Sequence, residues 1–514
     1  MSTFSAFFCV YSRLNNNKQC NLSFLFKRIR KFSQSAIRDN LRAFRACIIG
    51  SGPAGFYTAN RLLKGIPGSE IDMYEAFPVP FGLLRFGVAP DHDEIKNVQN
   101  QFSEIAKCER FHFIGNVRVG SDVSLKQLKP YYDCMVMAYG ASKDRELGIP
   151  GEKDIQGIYS ARSFVGWYNG HYEFQELNPD LESSDLAVII GHGNVALDIA
   201  RILLIDPKDL EKTDITEKAL ECLRKSKIKR VKIIGRRGPM QMSFSTKELR
   251  KLTELSMVSF YTPDLDLYIN QSLLSDNLTQ SKKRLFDLLL KKNTLNPDIN
   301  NKLWSLDFLL SARQFIKHES KPNTLSSVLF EKNVLKKGPN ESSLMAVGTG
   351  ELVNIDTNCL IRSIGYKGVA IENSEDIGIP FDSERGIIPN VFGRVLSSHK
   401  EKISDTFELP GIYTSGWIKT GPVGVIVNTM YDAFETSDSI IEDWNNGKMF
   451  LNPTNVELKP GFNALLSYFK DKNIQYVQWK EWQKLDELEN KKGKELGKIR
   501  KKFTSIKEIL EIIK

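Results

Sequence analysis

The sequence predicts an α/β protein whose sheets are covered by helices on both faces. A short apolar run at 46–49 leads directly into a glycine-rich turn, and a second apolar run at 186–190 does the same. A helix-period apolar pattern continues after the second turn through Ile199, Ile202 and Leu203. Strand, glycine turn and helix in this order form the unit that binds nucleotides in doubly wound sheets. Two such units predict two Rossmann-like, three-layer nucleotide-binding domains.

The first glycine turn, 50–55, has the pattern G-x-G-x-x-G between a predicted strand and a predicted helix. Gly50 permits the tight turn, Gly52 admits a pyrophosphate close to the backbone, and Gly55 lets the helix pack on the strand. The next predicted strand ends at Glu75, where a carboxylate can hold the ribose hydroxyls of an adenosine. The pattern therefore predicts a dinucleotide site.

The second turn, 191–196, has the pattern G-x-G-x-x-A, with Ala196 in the third position. Its partner strand is followed by Arg236 and Arg237 rather than by an acid. Paired guanidinium groups bind a 2′-phosphate through charge-assisted hydrogen bonds, so this turn is predicted to select NADPH over NADH. Two solvated surface arginines are the alternative, because the spacing from the turn is longer than is usual.

Positive charge is concentrated at the N-terminus. The 514-residue chain has a formal net charge of +9. Residues 1–45 contain nine basic side chains and one acid, Asp39, so the rest of the chain is close to neutral. An acid-poor leader with interspersed Arg, Ser, Phe and Leu is typical of a mitochondrial transit peptide, with a disordered extension as the alternative. This distribution does not favour nucleic-acid binding.

Other classes are disfavoured by what the sequence contains. Charged residues interrupt the longest apolar stretch, 186–205, so no transmembrane helix is expected. The seven cysteines are scattered, without C-x-x-C or metal-ligand spacing, so neither a metal site nor a disulfide reductase is expected. The polar composition of 265–345 predicts an insertion or loop-rich lobe, and the Lys/Glu-rich helix around 484–503 is expected to be a solvated face.

Longer strings make a family resemblance specific. They are GSGPAGFYTA (50–59), PVPFGLLRFGVAPDH (78–92), AYGA (138–141), GNVALDIARILL (193–204), GRRGPMQ (235–241), KELR (247–250), SIGYK (363–367) and GWIKTGPVGVI (416–426). Over nearly all of 46–514 the chain resembles the adrenodoxin reductases, mitochondrial NADPH:ferredoxin oxidoreductases. The resemblance implies a leader over 1–45, an FAD domain split between 46–143 and 363–514, and an NADP domain over 144–362.

The resemblance also implies the cofactors, tightly bound FAD and NADPH as cosubstrate, and their contacts. The FAD contacts fall on the turn residues Gly50, Gly52 and Gly55, and on Ala54, Glu75, Leu83, Val119, Trp417, Gly424, Val425 and Ile426. The NADP contacts fall on His192, Gly193, Asn194, Val195, Arg236, Arg237, Glu248 and again Gly424. His92 and Asp198 match a pair that the family is thought to use in proton movement, although a hydrogen-bonded loop histidine is an equal alternative for His92.

The implied partner is an acidic [2Fe-2S] ferredoxin of the adrenodoxin kind, which predicts a basic docking face. Arg250, Lys283 and Arg284 match the basic positions of the family best. The resemblance further implies a monomer in the mitochondrial matrix, with peripheral association with the inner membrane as an alternative, and electrons that feed P450, iron–sulfur or haem pathways. The sequence does not distinguish these pathways.

The sequence differs from the family pattern at two positions, and three other functions are alternatives to the one that the resemblance implies. His192 replaces a common Gln and is expected to adjust nicotinamide affinity, and Thr420 replaces a basic residue beside Lys419 and is expected to weaken docking slightly. An electron-input subunit similar to that of glutamate synthase would need additional Cys-rich iron–sulfur ligands. A flavoprotein kept only as a binder would have no electron acceptor, and a flavin monooxygenase would need a substrate-oxygenation motif.

Overall fold

The computed structural model describes residues 44–266, 268–269, 279–298, 301–321, 323–338, 344–397, 407–452 and 459–513. The leader predicted over 1–45 lies outside the described residues except for Phe44 and Arg45. Both of these side chains are buried, and the first strand begins at Arg45.

The first sheet takes its strands from two separate stretches of the chain. Its order is β16-β17-β18-β4-β1-β2-β3. The strands are β1 (Arg45–Ile49), β2 (Glu70–Tyr74), β3 (Phe111–Ile114), β4 (Cys134–Met137), β16 (Asn390–Val391), β17 (Arg394–Leu396) and β18 (Glu408–Thr414). From β18 to β3 neighbouring strands are parallel, whereas β16 and β17 add an antiparallel edge.

Both faces of this sheet are buried, as the alternation along β1 shows. Ala46 and Ile48 belong to one apolar cluster, and Cys47 and Ile49 belong to another on the opposite face. A parallel sheet requires such cover on both sides, because crossover connections place other elements there. The first sheet and its two coverings form the first lobe.

The second sheet is parallel throughout and has the order β6-β14-β7-β8-β10-β9. Its strands are β6 (Ile158–Ser160), β7 (Leu186–Ile190), β8 (Arg230–Ile234), β9 (Val258–Phe260), β10 (Lys302–Asp307) and β14 (Cys359–Arg362). With its coverings it forms the second lobe. Two layered parallel sheets, each with a strand–turn–helix unit, confirm the predicted fold class, while the residue bounds given for the domains stay predictions.

The structure corrects the loop-rich reading of 265–345. Beyond β10, this stretch contributes to an antiparallel sheet of β11 (Leu310–Lys317), β12 (Leu325–Lys337) and β13 (Leu344–Asp356), here called the meander. Phe315, Val328 and Phe330 of the meander pack in one cluster with Val188 and Leu360 of the second sheet. The composition is polar because these strands expose much of their surface: β12 buries alternate residues such as Val328 and Phe330, whereas β13 has no buried residue.

The helices lie between and around these strands. The α-helices are α1 (Pro53–Gly65), α2 (Leu83–Phe86), α3 (Asp93–Lys96), α4 (Val98–Ala106), α5 (Leu125–Leu128), α6 (Ala161–Asn169), α7 (Asn194–Leu204), α8 (Pro207–Leu210), α9 (Glu217–Lys225), α10 (Thr246–Thr253), α11 (Gln280–Lys292), α12 (Trp417–Thr420), α13 (Ile426–Asn445), α14 (Leu466–Asp471), α15 (Trp479–Glu495) and α16 (Ile506–Ile513). Short 3₁₀ helices lie at Lys129–Tyr131, Tyr172–Phe174, Pro239–Gln241, Ser374–Ile377 and Gly461–Leu465. In the described residues, none of the helices combines the length and the apolar character needed to cross a membrane.

The two passages of the chain between the lobes are joined to each other. β5 (Lys143–Asp144) lies on the way out to the second lobe, and β15 (Tyr366–Lys367) lies on the way back. They pair antiparallel, with Tyr366 opposite Asp144. The connection is therefore a two-stranded ribbon.

The Lys/Glu-rich helix has the solvated face that the sequence predicts, with Lys484, Glu487 and Lys491 exposed, but its opposite face is buried. It spans Trp479–Glu495 as α15, and Glu489 on it is fully buried. Both carboxylate oxygens of Glu489 accept from Arg85, at 2.7 and 2.8 Å, and Arg500 lies 2.8 Å from the same group. Burial alone would raise the pKa of Glu489, but Arg85 and Arg500 lower it on balance.

Replacing Glu489 by Ala is expected to destabilise the fold strongly. The change leaves the buried Arg85 guanidinium without its carboxylate, which costs about 3–5 kcal/mol for a broken buried pair. Glu487→Ala, an exposed position on the same helix, serves as control and should change stability by no more than about 0.5 kcal/mol. Urea unfolding measures both variants, and equal stabilities would show that the buried pair contributes nothing.

Candidate functional site

The first turn opens at the carboxyl end of β1. A Cβ at Gly55 would overlap the Gly50 carbonyl, and a Cβ at Gly50 would lie 2.5 Å from the Ala138 carbonyl oxygen. Gly50 also has a positive φ of 108°. These two glycines are therefore required by the backbone itself, as the sequence pattern predicts.

Gly52 has a different environment, because a Cβ there would meet no atom within 4 Å. It precedes α1, and its position at the helix start offers no side-chain cap. The N–H groups of a first helical turn have no partner within the helix and attract anions. The turn thus fits the pyrophosphate of a dinucleotide.

Glu75 is tied to this turn. Its Oε2 accepts from the Ser51 backbone N–H at 3.0 Å and from the Ser51 hydroxyl at 2.6 Å, and its Oε1 accepts from the Phe77 N–H. Burial raises the pKa of Glu75, and the hydrogen bonds from Ser51 oppose that shift. The carboxylate is fixed beside the glycine turn, where a ribose would lie.

Two more segments complete the mouth of the first turn. Gly82, which precedes Leu83, is so close that an added Cβ would lie 3.3 Å from the Gly52 Cα. Gly416, which precedes Trp417, would place a Cβ 2.5 Å from the Ala54 Cβ. The structure therefore brings the predicted residues Leu83, Ala54 and Trp417 to the same turn.

Other predicted FAD residues lie along the rim. Val119 packs in a cluster with Ile371 and Tyr139, two residues beyond Val117, whose N–H donates to the Glu75 carbonyl. Gly424 has a φ of 92° and precedes Val425 and the start of α13 at Ile426. The side chain of Asn428 accepts from the Val425 N–H at 3.1 Å. This segment is therefore the start of a helix.

The second turn repeats the arrangement at the carboxyl end of β7. A Cβ at Gly191, whose φ is 122°, would overlap the Ser363 carbonyl oxygen. Gly193 precedes α7 without a side-chain cap, and Val195 and Ala196 follow in its first turn. The Asn194 side chain accepts from the Ser245 N–H at 2.7 Å. This turn also fits a pyrophosphate.

His192 is held as a neutral ring. Its Nε2 lies 3.0 Å from the Ile233 carbonyl oxygen, so Nε2 donates, and burial lowers the pKa of His192 to about 4. Its ring meets Phe308 edge-on at 5.1 Å, and a Cβ at Gly235 would overlap the imidazole. Gly235 therefore makes room for the His192 ring.

Arg236 and Arg237 are exposed beside this turn. Within the described ranges, no carboxylate pairs with either guanidinium. Partial burial and the adjacent Arg236 charge lower the pKa of Arg237. Two unpaired cations side by side offer the site that a 2′-phosphate would fill.

The meander anchors the backbone of this arginine pair. The Asn333 amide donates to the Arg236 carbonyl at 3.0 Å and to the Ser311 hydroxyl at 2.9 Å. The Leu309 N–H donates to the Arg237 carbonyl at 3.3 Å. The stretch that the sequence left without a role thus fixes the turn that presents both guanidinium groups.

Arg201 joins the two lobes at a buried polar cluster. Its side chain is 1% exposed, and it donates to both oxygens of Asp91, at 2.6 and 2.9 Å. It also lies 2.8 Å from the Asp198 carboxylate and 2.7 Å from His92 Nε2. Because arginine only donates, Nε2 of His92 is an acceptor and the ring carries its proton on Nδ1.

Burial and the Arg201 charge together lower the pKa of His92 to about 4. The ring lies only 3.3 Å from Glu248 and 3.7 Å from Asp198, but the guanidinium at 2.7 Å outweighs these carboxylates. Burial raises the pKa of Asp198 to about 7, only partly offset by Arg201. Of the two residues that the resemblance links to proton movement, Asp198 rather than His92 is therefore the one whose pKa lies near neutral pH.

Glu248 belongs to this cluster as well as to the predicted NADP contacts. Its side chain is 10% exposed, and burial raises its pKa. His92, Asp198 and Glu248 offer ligand atoms within 4.8 Å of one another, as a metal site would. The positive charge in their midst is supplied by Arg201, 3.8 Å from Glu248.

Sequence reasoning missed Arg201 and Asp91. The sequence does contain a clue to each residue. Asp91 adjoins His92, and Arg201 follows Asp198 by three residues, about one turn along the same helix. No pattern, however, tells which lobe's acid an arginine will meet. The Arg201–Asp91 pair is set by the contact between the two lobes.

The predicted docking residues lie on one side of the second lobe. Arg250 is exposed on α10, Lys283 and Arg284 are exposed on α11, and the two helices are in contact. The apolar residues that follow on α11, Leu285, Phe286 and Leu289, pack into the core.

Known proteins resemble the chain over most of its length. A protein of Schizosaccharomyces pombe named probable mitochondrial NADPH:adrenodoxin oxidoreductase is 44% identical over 444 residues, covering 84% of this chain and 88% of the relative. The human protein named mitochondrial NADPH:adrenodoxin oxidoreductase is 41% identical over 475 residues, covering 91% of each chain.

A solved structure of Mycobacterium tuberculosis FprA in complex with NADPH has a TM-score of 0.80 and 35% identity, covering 92% of this chain and 100% of that one. No known protein-family profile matches the chain.

Asp198→Asn is expected to stabilise the fold most at high pH. Asp ionises near pH 4 in an unfolded chain, whereas Asp198 ionises near pH 7 in the fold, so its ionisation destabilises the fold progressively between these values. Asn does not ionise. The Tm of the variant should therefore exceed that of the wild type by several degrees at pH 8 and by less at pH 5.

Calorimetry across this pH range measures the difference. Asp154→Asn, at an exposed carboxyl, is the control and should show no trend with pH. A Tm difference for Asp198→Asn that stays constant from pH 5 to pH 8 would contradict the raised pKa.

Proposed function

The chain belongs to the family of mitochondrial NADPH:adrenodoxin oxidoreductases, and from this premise we propose which of its residues hold each cofactor and the electron acceptor. The protein is an NADPH-dependent flavoprotein oxidoreductase that transfers electrons through FAD to a ferredoxin. FAD accepts hydride as an electron pair and releases electrons singly. The protein must bind both nucleotides and hold the nicotinamide close to the flavin.

The first turn is assigned to FAD. The assignment comprises Gly50, Gly52, Ala54, Gly55, Glu75, Leu83, Val119, Trp417, Gly424, Val425 and Ile426. It is supported by the convergence of Gly82, Gly416 and Glu75 on the uncapped start of α1. The backbone at 424–426 begins α13; since Asn428 already accepts from the Val425 N–H, the Gly424 and Ile426 N–H groups are the ones that would face an anionic reduced ring.

The second turn is assigned to NADPH. The assignment comprises His192, Gly193, Asn194, Val195, Arg236, Arg237, Glu248 and Gly424. The observation that carries the proposal is the exposed, unpaired arginine pair beside an uncapped helix start in the described part of the second lobe. Hydride transfer needs positioning rather than acid or base catalysis, so holding both nucleotides is the main catalytic task.

The cluster around Arg201 is assigned to proton movement. Asp198, with a pKa of about 7, is the candidate that holds and releases a proton, and His92, neutral with its Nε2 occupied by Arg201, is an orienting group. The family resemblance suggested the two residues as a pair, and this assignment gives them different roles.

Purification of the chain tests the whole proposal. The protein should be yellow, with the absorbance of oxidised FAD, and NADPH should bleach it in a stopped-flow mixer. Reduction of cytochrome c should then depend on added adrenodoxin-type ferredoxin, which separates an electron-transfer enzyme from a flavoprotein that only binds. A yellow protein that NADPH leaves unbleached would refute the function.

The double variant Arg236→Ala/Arg237→Ala is expected to raise the KM for NADPH by about 100-fold, since charge-assisted hydrogen bonds contribute about 1.5–3 kcal/mol each. The KM for NADH should change little. Arg230→Ala is the matched control, because this exposed arginine lies at the other end of β8 and pairs with Asp185. Equal effects on both nucleotides would disprove the 2′-phosphate assignment.

The acceptor is proposed to dock on Arg250, Lys283 and Arg284. Lys283→Glu/Arg284→Glu should raise the KM for ferredoxin about tenfold at low ionic strength, and the effect should shrink as salt screens the charges. Lys480→Glu, an exposed lysine of the first lobe, is the control. A KM for ferredoxin that is insensitive to salt in the wild type would remove the docking face.

The compartment is mitochondrial, and the matrix, a peripheral contact with the inner membrane and a monomeric state are proposals from the family resemblance. Size-exclusion chromatography with light scattering tests the last of these. P450, iron–sulfur and haem pathways remain candidate destinations for the electrons.

A further inference from the structure

A short stretch of the first lobe, 91–96, makes a series of ionic contacts with the second lobe. Asp91 meets Arg201 at 2.6 Å, Glu94 meets Lys251 at 2.8 Å, and Lys96 meets Asp214 at 2.5 Å. We call this series the seam. His92, at one end of the seam, belongs to the cluster already described.

The other end of the seam is fastened by the C-terminal segment of the chain. Lys502 is 1% exposed at its side chain, and its Nζ lies 2.8 Å from Asp214. The same ammonium donates to the Asn169 carbonyl at 3.1 Å and to the Arg85 carbonyl at 3.3 Å. One buried side chain therefore contacts α6 and the α8–α9 connection of the second lobe together with α2 of the first.

Neighbouring residues hold this segment in place on both sides. Lys498 pairs with Glu217, and the Ile499 N–H donates to the Lys212 carbonyl at 3.0 Å. The Phe503 N–H donates to Glu489 at 3.0 Å, and the Lys501 N–H donates to the Glu489 carbonyl at 3.0 Å. The segment 498–503 thus runs as a strap from the second lobe to the buried carboxylate of α15.

Asp214 is the point at which seam and strap meet. Burial would raise the pKa of its carboxyl, but the ammonium groups of Lys502 and Lys96 lower it on balance. The Asp214 carboxylate pairs with the ammonium group of Lys96 from the seam and with that of Lys502 from the strap. Both lysine side chains are largely buried. A buried charge that loses one such partner is strongly destabilised in its position.

We propose that Lys502, acting through Asp214, is a positioning residue for hydride transfer, because it fixes the second lobe against the first and so sets the distance between the two nucleotide turns. This rests on the proposed function of those turns. Neither side chain belongs to the residues assigned to FAD or NADPH. A displacement of about 1 Å in a reacting pair slows transfer by about 100-fold, so a lobe contact distant from the chemistry is enough to control the rate.

Single-turnover reduction by NADPH tests the proposal on the full-length holoenzyme. Lys502→Met and Asp214→Asn should each slow flavin bleaching by about 10- to 100-fold. The Kd for NADP⁺ should change less than threefold, because each turn keeps its own contacts, and the long-wavelength absorbance of reduced flavin stacked on NADP⁺ should weaken. Lys502→Arg, which keeps the charge, should restore most of the rate.

Controls separate positioning from general damage. Arg224→Met removes a cation from an exposed pair with Glu211 in the same lobe and should leave the rate unchanged. The double variant Lys502→Met/Asp214→Asn should be no slower than the slower single variant, since both act through one contact. If Lys502→Met fails to retain FAD, the measurement rests on Asp214→Asn.

A wild-type bleaching rate in Asp214→Asn, or a slowing matched by Arg224→Met, overturns the proposal. Failure of the wild-type protein itself to be bleached by NADPH would instead count against the proposed function. The two failures are therefore distinguishable in the same experiment.

Discussion

The guanidinium of Arg201 is the interaction on which the relation between the two lobes depends. It is buried, and it lies on the helix that begins at the second glycine turn. It donates two hydrogen bonds to the Asp91 carboxylate of the first lobe. A single side chain thereby links the nucleotide-binding helix of one lobe to the loop that carries His92 in the other. The same charge lowers the pKa of His92, so lobe assembly and the protonation state of the cluster cannot be separated.

The parts of the fold that repeat a local pattern were predictable from the sequence. Glycine is required at positions 50, 55 and 191 by backbone atoms a few residues away or at the end of the neighbouring strand. A buried parallel strand can be recognised in the sequence as a short apolar run. The arginine pair after β8 was predictable for the same reason, since its chemistry and its place beside the turn can both be read from the sequence.

The parts that depend on distant partners were not predictable. Glu489 sits in a Lys/Glu-rich helix that looks solvated, and only the fold brings Arg85, 404 residues away, to its carboxylate. The meander was misread because few of its residues are buried, such as Val328 and Phe330 on β12 and none on β13, so its composition is polar overall. Asn333, which anchors the arginine turn, resembles any surface asparagine until β12 is placed against the second sheet.

The position of β18 beside β4 has a consequence for how the chain folds during synthesis. β1 and β4 are made early, but the strand at 408–414 that pairs with the other edge of β4 is made only after the whole second lobe has been translated. The second lobe, whose strands all lie between 158 and 362, can close first, while the first sheet keeps an open strand edge. An unpaired edge is a template for pairing with another chain, so the β4 edge stays open to such pairing until residues 408–414 have been made.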